Sequence, residues 1–547
     1  MALQLLRNII ASLELQKVQT ASYSPSWLRG CVVARSVWLS PLEGPSCRNE
    51  SLYYEGGTAS IRTMAESFPR DISEAIGQFQ IVESDETPVS QVRTGTLRFE
   101  GNVADLEVSP EITPSVEWEV QEDGSWVGHS RESEQADFTV LGTLARSPSA
   151  VSLWRTNTFR RRSLGFSIPG QDNPGSQEMR ADWCITGAHL ADPTAPFSAV
   201  HFDIANLHEW SGHSYAKSES GLPKTWIVDF PETEAHSLQD TAGTLELSPR
   251  GKVQTHASRG LHISTNTLVK ITLEDGVSLD ELVAQYGRPL AILMTLLTGA
   301  ECSIREIDLR DQDNQELQAY GKVVDREAPE SPGQLFLTRR DVSADLLTSW
   351  ITTANTLSPV PEILASLWSG VFPYLETRSL TLATSAEALH RLLHPDAIRF
   401  TAEEVDESIR GLDKAMIPVP VKNSLQNALK SYWAEKSYPQ RLEELAEPVV
   451  RAVPTSIGKL NRWKRAVSDL RVQLAHGFTD QKLDPEQILK IEALSRSLQW
   501  VLTFRVLLHS GVTPSELGEA AKRSERYQLH MRRWNKWWPN IFASDGT

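Results

Sequence analysis

The sequence predicts an α+β protein: an N-terminal β-rich unit of antiparallel sandwich or barrel type, followed by an all-helical bundle. Three observations predict it. Between about residues 77 and 275, apolar side chains recur at every second position, the period of a half-buried strand. From Asp325 to Gln334 two prolines, a glycine and several charges interrupt the pattern and mark a linker. Beyond it the apolar residues recur with the 3.6 period of a helix. The expected organisation is an extension over 1–63, a β-rich domain over 64–325, a linker over 326–340 and a helical domain over 341–547.

The first 63 residues differ from the rest. They hold no Asp, nine Ser and two of the four cysteines, with a formal charge of +2 that leaves −18 on the remainder. No sustained period runs through them, so they read as a poorly ordered or spurious extension ahead of Met64. Their start, Met1 to Ile10, lacks the longer apolar stretch and cleavage site of a secretory signal. Elsewhere no apolar run is long enough to span a bilayer, so no membrane association is expected. Cys31, Cys47, Cys184 and Cys302 lie far apart without Cys-x-x-Cys spacing, which argues against a zinc ribbon or redox motif and for a reducing, cytoplasmic setting. A net charge of −16 excludes a general nucleic-acid coating protein and confines any RNA contact to one salt-dependent site.

The strands read off in order. Val116, Trp118 and Val120 alternate with Glu117 and Glu119, and Asp123-Gly124 supplies a hairpin turn before Ser125-Trp126-Val127. Val200, Phe202 and Ile204 alternate, as do Trp226, Val228 and Phe230, and Val269, Ile271 and Leu273 before Asp275-Gly276. Ser163 to Gln177, rich in Gly, Ser and Pro, reads as a loop. Ser278-Leu279-Asp280-Glu281 is a capping box that opens a helix, Gly299 closes it, and Pro289 must kink or divide it. In the second half, helices are expected at roughly 380–393, 402–414, 422–435, 439–452, 459–476 and 485–510.

One stretch carries chemistry. Trp463, Val467, Leu470 and Leu474 anchor an amphipathic helix that reaches Arg471, His476 and Gly477. Residues five apart on an ideal helix differ by about 140°, so Arg471 and His476 do not share a face. Gly477 lets the helix stop and His476 leave the helical phase. A neutral imidazole can take the ribose 2′-OH proton, an imidazolium can protonate the leaving oxygen, and a guanidinium can stabilise charge on the phosphoryl oxygens. Two such pairs across a two-fold axis supply an acid, a base and two cations without a metal. Arg-x4-His alone is a weak signal. The bland alternative is a surface arginine and a helix-terminal histidine that favours the dipole.

Residues 341–547 resemble the ApeA-like branch of HEPN domains in Ala386-Glu-Ala-Leu-His390, in Arg441-Leu-Glu-Glu-Leu-Ala446 and in Arg471-Val-Gln-Leu-Ala-His476-Gly477. The preceding half resembles the ApeA N-terminal domain in Gly77-Gln-Phe79, Gly95-Thr-Leu97, Asn206-Leu-His-Glu-Trp210 and the Ser278–Gly299 helical segment. The resemblance covers about 64–547. It implies a homodimeric, metal-independent endoribonuclease of anti-phage defence by abortive infection. Such a toxin is silent until a phage-derived trigger appears and then cuts tRNA or other host RNA, with Arg471 and His476 as catalytic residues. No cofactor is implied. Val472 departs from the family, where many active members carry Asn, Asp or His after the arginine. It motivates the alternative of a catalytically inactive HEPN dimer that binds RNA or a protein.

Other candidates are weaker. Glu387 is a candidate supporting residue for the Arg471/His476 cleft, against the plainer reading of a helix-pairing carboxylate; His390 reads as an ordinary helix residue. Lys522, Arg523, Arg526, Arg532 and Arg533, interleaved with aromatics, form a candidate RNA-binding tail, though packing of a terminal helix explains them equally. Arg160-Arg161-Arg162 reads as a basic loop. His208, Glu209 and His213, and His256 with His262 on one strand face, lack convergent ligands, so no metal site is expected. Asp311 to Glu316 begins like a calcium loop but has no glycine at the turn. A ligand-binding β-sandwich with a helical oligomerisation tail is the third reading.

Overall fold

The computed structural model describes residues 74–543 apart from 101, 114–115, 122–124, 131–136, 163–174, 213–215, 220–224, 229–232, 257–259, 326–333, 371–373, 434 and 477–483. The expected extension over 1–63 and most of the expected loop after Ser163 lie outside the described residues.

The β-rich half begins with β1 (Glu74–Val82), β2 (Arg93–Glu100) and β3 (Val103–Val108). A hairpin of β4 (Val116–Val120) and β5 (Trp126–Ser130) follows, as its alternation predicts. Next come β6 (Phe138–Leu144), β7 (Ala150–Arg162), β8 (Ser176–Ala181), β9 (Trp183–Thr186) and β10 (Phe197–Ile204). The short helix α1 (Leu207–Ser211) leads to β11 (Ala216–Glu219), β12 (Thr225–Val228), β13 (Ala235–Ser237) and the long pair β14 (Gly243–His256) and β15 (Gly260–Val277). The half closes with β16 (Ile304–Arg310) and β17 (Glu316–Gly321).

Strands β7, β6, β1, β2, β3 and β8 pair in that order, and β8 returns to β7, which closes an antiparallel barrel. Closure removes the exposed edges an open sheet would leave. Phe79, Leu97, Leu106, Val140, Leu153 and Met179 fill the interior. Gly142 makes that filling possible: a Cβ there would lie 2.5 Å from the Phe79 ring.

From β7 the sheet continues open through β9, β17, β16, β10, β15, β14 and β13. One face, with Val200, Phe202, Leu245, Val269, Ile271 and Ile307, is fully buried. It belongs to the same apolar core as α2 (Leu279–Leu282), a π turn (Val283–Gly287) and α3 (Arg288–Thr298). The Ser278 capping box forms as expected. The break at Pro289 takes the form of that π turn, which absorbs the residue that cannot donate a helical hydrogen bond. Gly299 caps α3 in the left-handed region at φ 74°.

The opposite face of the open sheet is polar. Asp203 accepts from Asn266 Nδ2 at 2.8 Å, while Arg250 donates to Glu306 at 3.0 Å and pairs with Asp308. Burial, then the Glu306 carboxylate, push Asp203 up to about 6. A carboxyl raised in the fold favours the folded state while protonated and loses that favour as pH rises from its unfolded value near 4 through 6. Asp203→Asn is therefore expected to unfold at a higher temperature than wild type above pH 7, by up to about 3 kcal/mol in stability. The gain should vanish below pH 4. A thermal melt at both pH values checks this.

The structure corrects three local expectations. Arg160–Arg162 are not a loop but the end of β7, where Arg161 donates to Glu111 at 3.1 Å and Arg162 to Glu178 at 3.3 Å. His256 and His262 stand on two paired strands, β14 and β15, and not on a single strand. Asp275-Gly276 do not end a strand, because β15 runs through them to Val277.

The helical half comprises α4 (Asp345–Thr356), α5 (Val360–Ser369), α6 (Leu375–Leu393), α7 (Ala402–Lys414), α8 (Val419–Ala428), α9 (Tyr438–Ala452) and α10 (Leu460–His476). It ends with α11 (Pro485–His509), α12 (Pro514–Arg523), α13 (Glu525–Trp537) and α14 (Pro539–Phe542). Helix α11 is the central rod, with α6, α9 and α13 packed along it. The core does not stop between the halves. Trp350 on α4 donates to the Pro289 carbonyl at 2.7 Å, and Phe336 N–H donates to the Leu297 carbonyl at 2.9 Å. Residues 334–340 of the expected linker are packed rather than tethering, with Phe336 and Leu337 buried.

Candidate active site

Helix α10 carries the Arg471 and His476 pair. Its apolar stripe of Trp463, Val467 and Leu470 is buried, and Trp463 Nε1 donates to Ser497 Oγ on α11 at 2.9 Å. That anchoring fixes the phase of the helix and turns Arg471, the next residue, toward α6 and α9. Arg471 Nη2 donates to Glu387 Oε2 at 2.6 Å, and its guanidinium carbon lies 4.6 Å above the centre of the Tyr438 ring. A carboxylate at one edge and an aromatic face beneath hold a planar cation in one orientation. The Arg471 side chain keeps about a third of its surface exposed, 37%. A guanidinium has five N–H donors, and one is engaged by Glu387.

The support extends into the bundle. Burial raises the Tyr438 phenol above its usual range, so its hydroxyl keeps its proton and donates to the Ala383 carbonyl at 3.0 Å. Arg391 donates to Glu387 at 3.4 Å and to Glu435 at 2.7 Å, and Arg441 donates to Glu435 at 2.9 Å. Arg441 Nη1 also donates to His390 Nδ1 at 3.2 Å, while His390 Nε2 donates to Glu444 at 2.7 Å. These two bonds fix the neutral tautomer, and burial holds His390 below the usual histidine range despite the Glu444 carboxylate. His390 is thus a buried strut within the network. Burial works against the Glu444 charge, but Lys436 and His390 outweigh it and hold the carboxyl below its usual range.

Of the residues singled out from the sequence, the structure brings Glu387 and Arg471 into direct contact. His476 is the last residue of α10. The helix persists through it, so His476 does not leave the helical phase, and its backbone stands about 140° around the axis from Arg471. Gly477 lies outside the described residues. The C-terminal cations are dispersed. Lys522 pairs with Glu519 at 2.6 Å and Arg523 with Asp341 at 2.6 Å, whereas Arg532 and Arg533 are exposed. Arg526 turns inward onto the Trp368 and Trp500 rings and donates to the Leu296 and Leu297 carbonyls at 3.1 and 3.2 Å. Burial therefore removes Arg526 from the expected RNA-binding tail.

Sequence reasoning missed Tyr438, Arg391, Glu435, Lys436 and the pairing of Arg441 with His390. One signal was present. Arg441 falls on the stripe of Leu445 and Val449, and a charge on the apolar stripe of a helix needs a buried partner. Among the described residues no group of three or more His, Cys, Asp or Glu side chains converges as a metal site. No helix among them is long and apolar enough to cross a membrane.

A closed β-barrel with an open sheet, joined to a helical bundle that holds an arginine on a late helix, defines a two-part protein with an Apea-like HEPN domain, and that family matches residues 380–516. The family described as ApeA N-terminal domain 1 matches residues 75–352, so the chain belongs to the ApeA family. Comparison with curated proteins and with solved structures gives no match.

Proposed function

We propose that this protein is a metal-independent endoribonuclease of anti-phage abortive-infection defence, cutting tRNA or other host RNA at a site composed by two copies of the chain. HEPN domains are generally ribonucleases that commonly dimerise and bind RNA. The observation that carries the proposal here is the seating of Arg471: a partly exposed guanidinium, held by Glu387 and Tyr438, on the helix that ends in His476. One helix cannot aim both residues at one phosphodiester when they lie 140° apart. A two-fold axis can, because His476 from one copy then faces Arg471 of the other. Apolar side chains exposed at the adjoining ends of α10 and α11, Val472, Ile488 and Leu489, favour self-association at this end of the bundle.

In this mechanism one neutral His476 removes the 2′-OH proton and the oxygen attacks phosphorus. The 5′-oxygen leaves with a proton from the second His476, which leaves a 2′,3′-cyclic phosphate and a 5′-hydroxyl. Arg471 stabilises the charge on the non-bridging oxygens. Val472 sets up the second reading, an RNA- or protein-binding dimer without catalysis. Against it, Glu387 and Tyr438 supply the orientation that a polar residue at 472 would otherwise help to give. The deciding experiment incubates purified protein with total tRNA in EDTA, alongside His476→Ala. Cleavage by wild type alone supports the enzyme; none by either, with binding retained, supports the module. Glu387→Gln keeps the side chain's shape but removes the charge that anchors Arg471. It is expected to lower kcat by about ten- to a hundredfold with little change in KM or melting temperature.

A further inference from the structure

Guanidinium groups outnumber carboxylates around one cavity of the bundle. The cavity has a volume of about 50 Å³ and lies between α11 and α13, lined by Glu492, Arg496, His530, Arg533, Trp534 and Trp537. That is room for several waters or one tetrahedral oxyanion. Arg378 of α6 donates to both oxygens of Glu492, at 3.2 and 3.0 Å, and Arg496 Nε adds a third bond at 2.9 Å. The carboxylate of the site is thereby fully engaged. Arg526, behind the cavity, spends its bonds on backbone carbonyls, and Arg533 makes no ion pair among the described residues. Four arginines therefore gather around one carboxylate, and only Arg378 and Arg496 pair with it.

The remaining polar atoms are donors. Trp534 is 1% exposed, and its Nε1–H finds no acceptor. Gln499 is fully buried; its Oε1 accepts from Arg378 and Arg496, while its Nε2 is without a partner. Trp500 Nε1 donates to His530 Nδ1 at 2.9 Å, so the neutral ring carries its proton on Nε2. Burial, followed by repulsion from Arg496, Arg526, Arg533 and Arg378, pushes His530 down to about 3. Burial and the nearby Arg496 hold both Arg378 and Arg526 at about 10. Such a cluster of buried donors and cations is relieved by an anion.

We propose that this cavity binds the phosphoryl group of a small phosphorylated ligand, either free phosphate or a nucleoside monophosphate whose base would rest on Trp537. Arg496, Arg533 and His530 Nε2–H are the donors. The site is separate from the Arg471 centre. Arg378 and Glu387 share α6 but stand nine residues apart, about 13 Å along the axis and on opposite sides of the helix. A ligand here is an effector of the bundle and not the RNA strand being cut.

The test is titration calorimetry and thermal melting of the full chain with inorganic phosphate, AMP and adenosine at matched ionic strength. Phosphate or AMP should bind and raise the melting temperature, and adenosine should not. Tighter binding of AMP assigns the nucleotide, and tighter binding of phosphate assigns the free anion. Arg533→Ala removes an exposed, unpaired side chain and so leaves the fold intact; it should weaken binding about tenfold or more. No binding by wild type, or equal affinity in Arg533→Ala and in a folded Arg496→Met variant, overturns the proposal.

Discussion

His476→Ala is expected to abolish cleavage of tRNA in EDTA, a fall of about 10²–10⁴ in kcat, with the melting temperature unchanged. The reason is positional. His476 ends α10, while the anchoring of that helix rests on Trp463, Val467 and Leu470, none of which the substitution touches. In a composite site the loss removes base and acid together, because both come from the same position in two copies. Arg471→Lys should lose nearly as much as Arg471→Ala, since an ammonium can reproduce neither the planar fit over Tyr438 nor a spread of N–H donors. A mixture of His476→Ala and Arg471→Ala chains is the most informative assay. Each alone should be inactive, and mixed dimers, which hold a single His476 for the two proton transfers, should recover at most a small part of the activity.

Trp500→Ala is expected to cost about 3–5 kcal/mol of stability, measured by urea or thermal unfolding. Trp500 is fully buried at the middle of α11. Trp368 meets it edge-on at 4.8 Å, Tyr527 edge-on at 5.2 Å, and Phe336 and Phe504 tilted at 5.4 and 5.0 Å. Arg526 lies over its face, and His530 accepts from its N–H. Alanine would leave a cavity, an unpaired His530 nitrogen and a buried guanidinium with one of its two rings gone. Phe336 comes from the segment that joins the two halves, so the substitution should destabilise both together, in one transition rather than two.

The fold was legible where burial is periodic. The alternation of β10 and β15, the capping box at Ser278, the cap at Gly299 and the helices from 402 to 509 follow from side chains that repeat at 2 or 3.6 residues. Closure of the barrel was not legible, because pairing of β8 with both β3 and β7 is set by sheet curvature, and no single segment encodes it. Arg160–Arg162 misled for a related reason: three arginines read as a solvated loop, yet Glu111 and Glu178, distant in sequence, give them partners on the barrel. At the candidate site, Arg471 and His476 were readable from their own helix. Tyr438 and Glu435 were not, because nothing in a local pattern records which side chains another helix brings across a gap.

The unbroken core between the β-rich half and the bundle bears on how such a protein evolves. Trp350 seats on a carbonyl of α3, and Arg526, near the far end of the chain, caps the end of that same helix. A gene fusion that grafted this bundle onto a foreign N-terminal unit would strip its α4 and α13 of the wall they rest against. The two halves are in this sense heritable only as a pair, and diversification should proceed by substitution on the outer strands and turns rather than by exchange of whole modules.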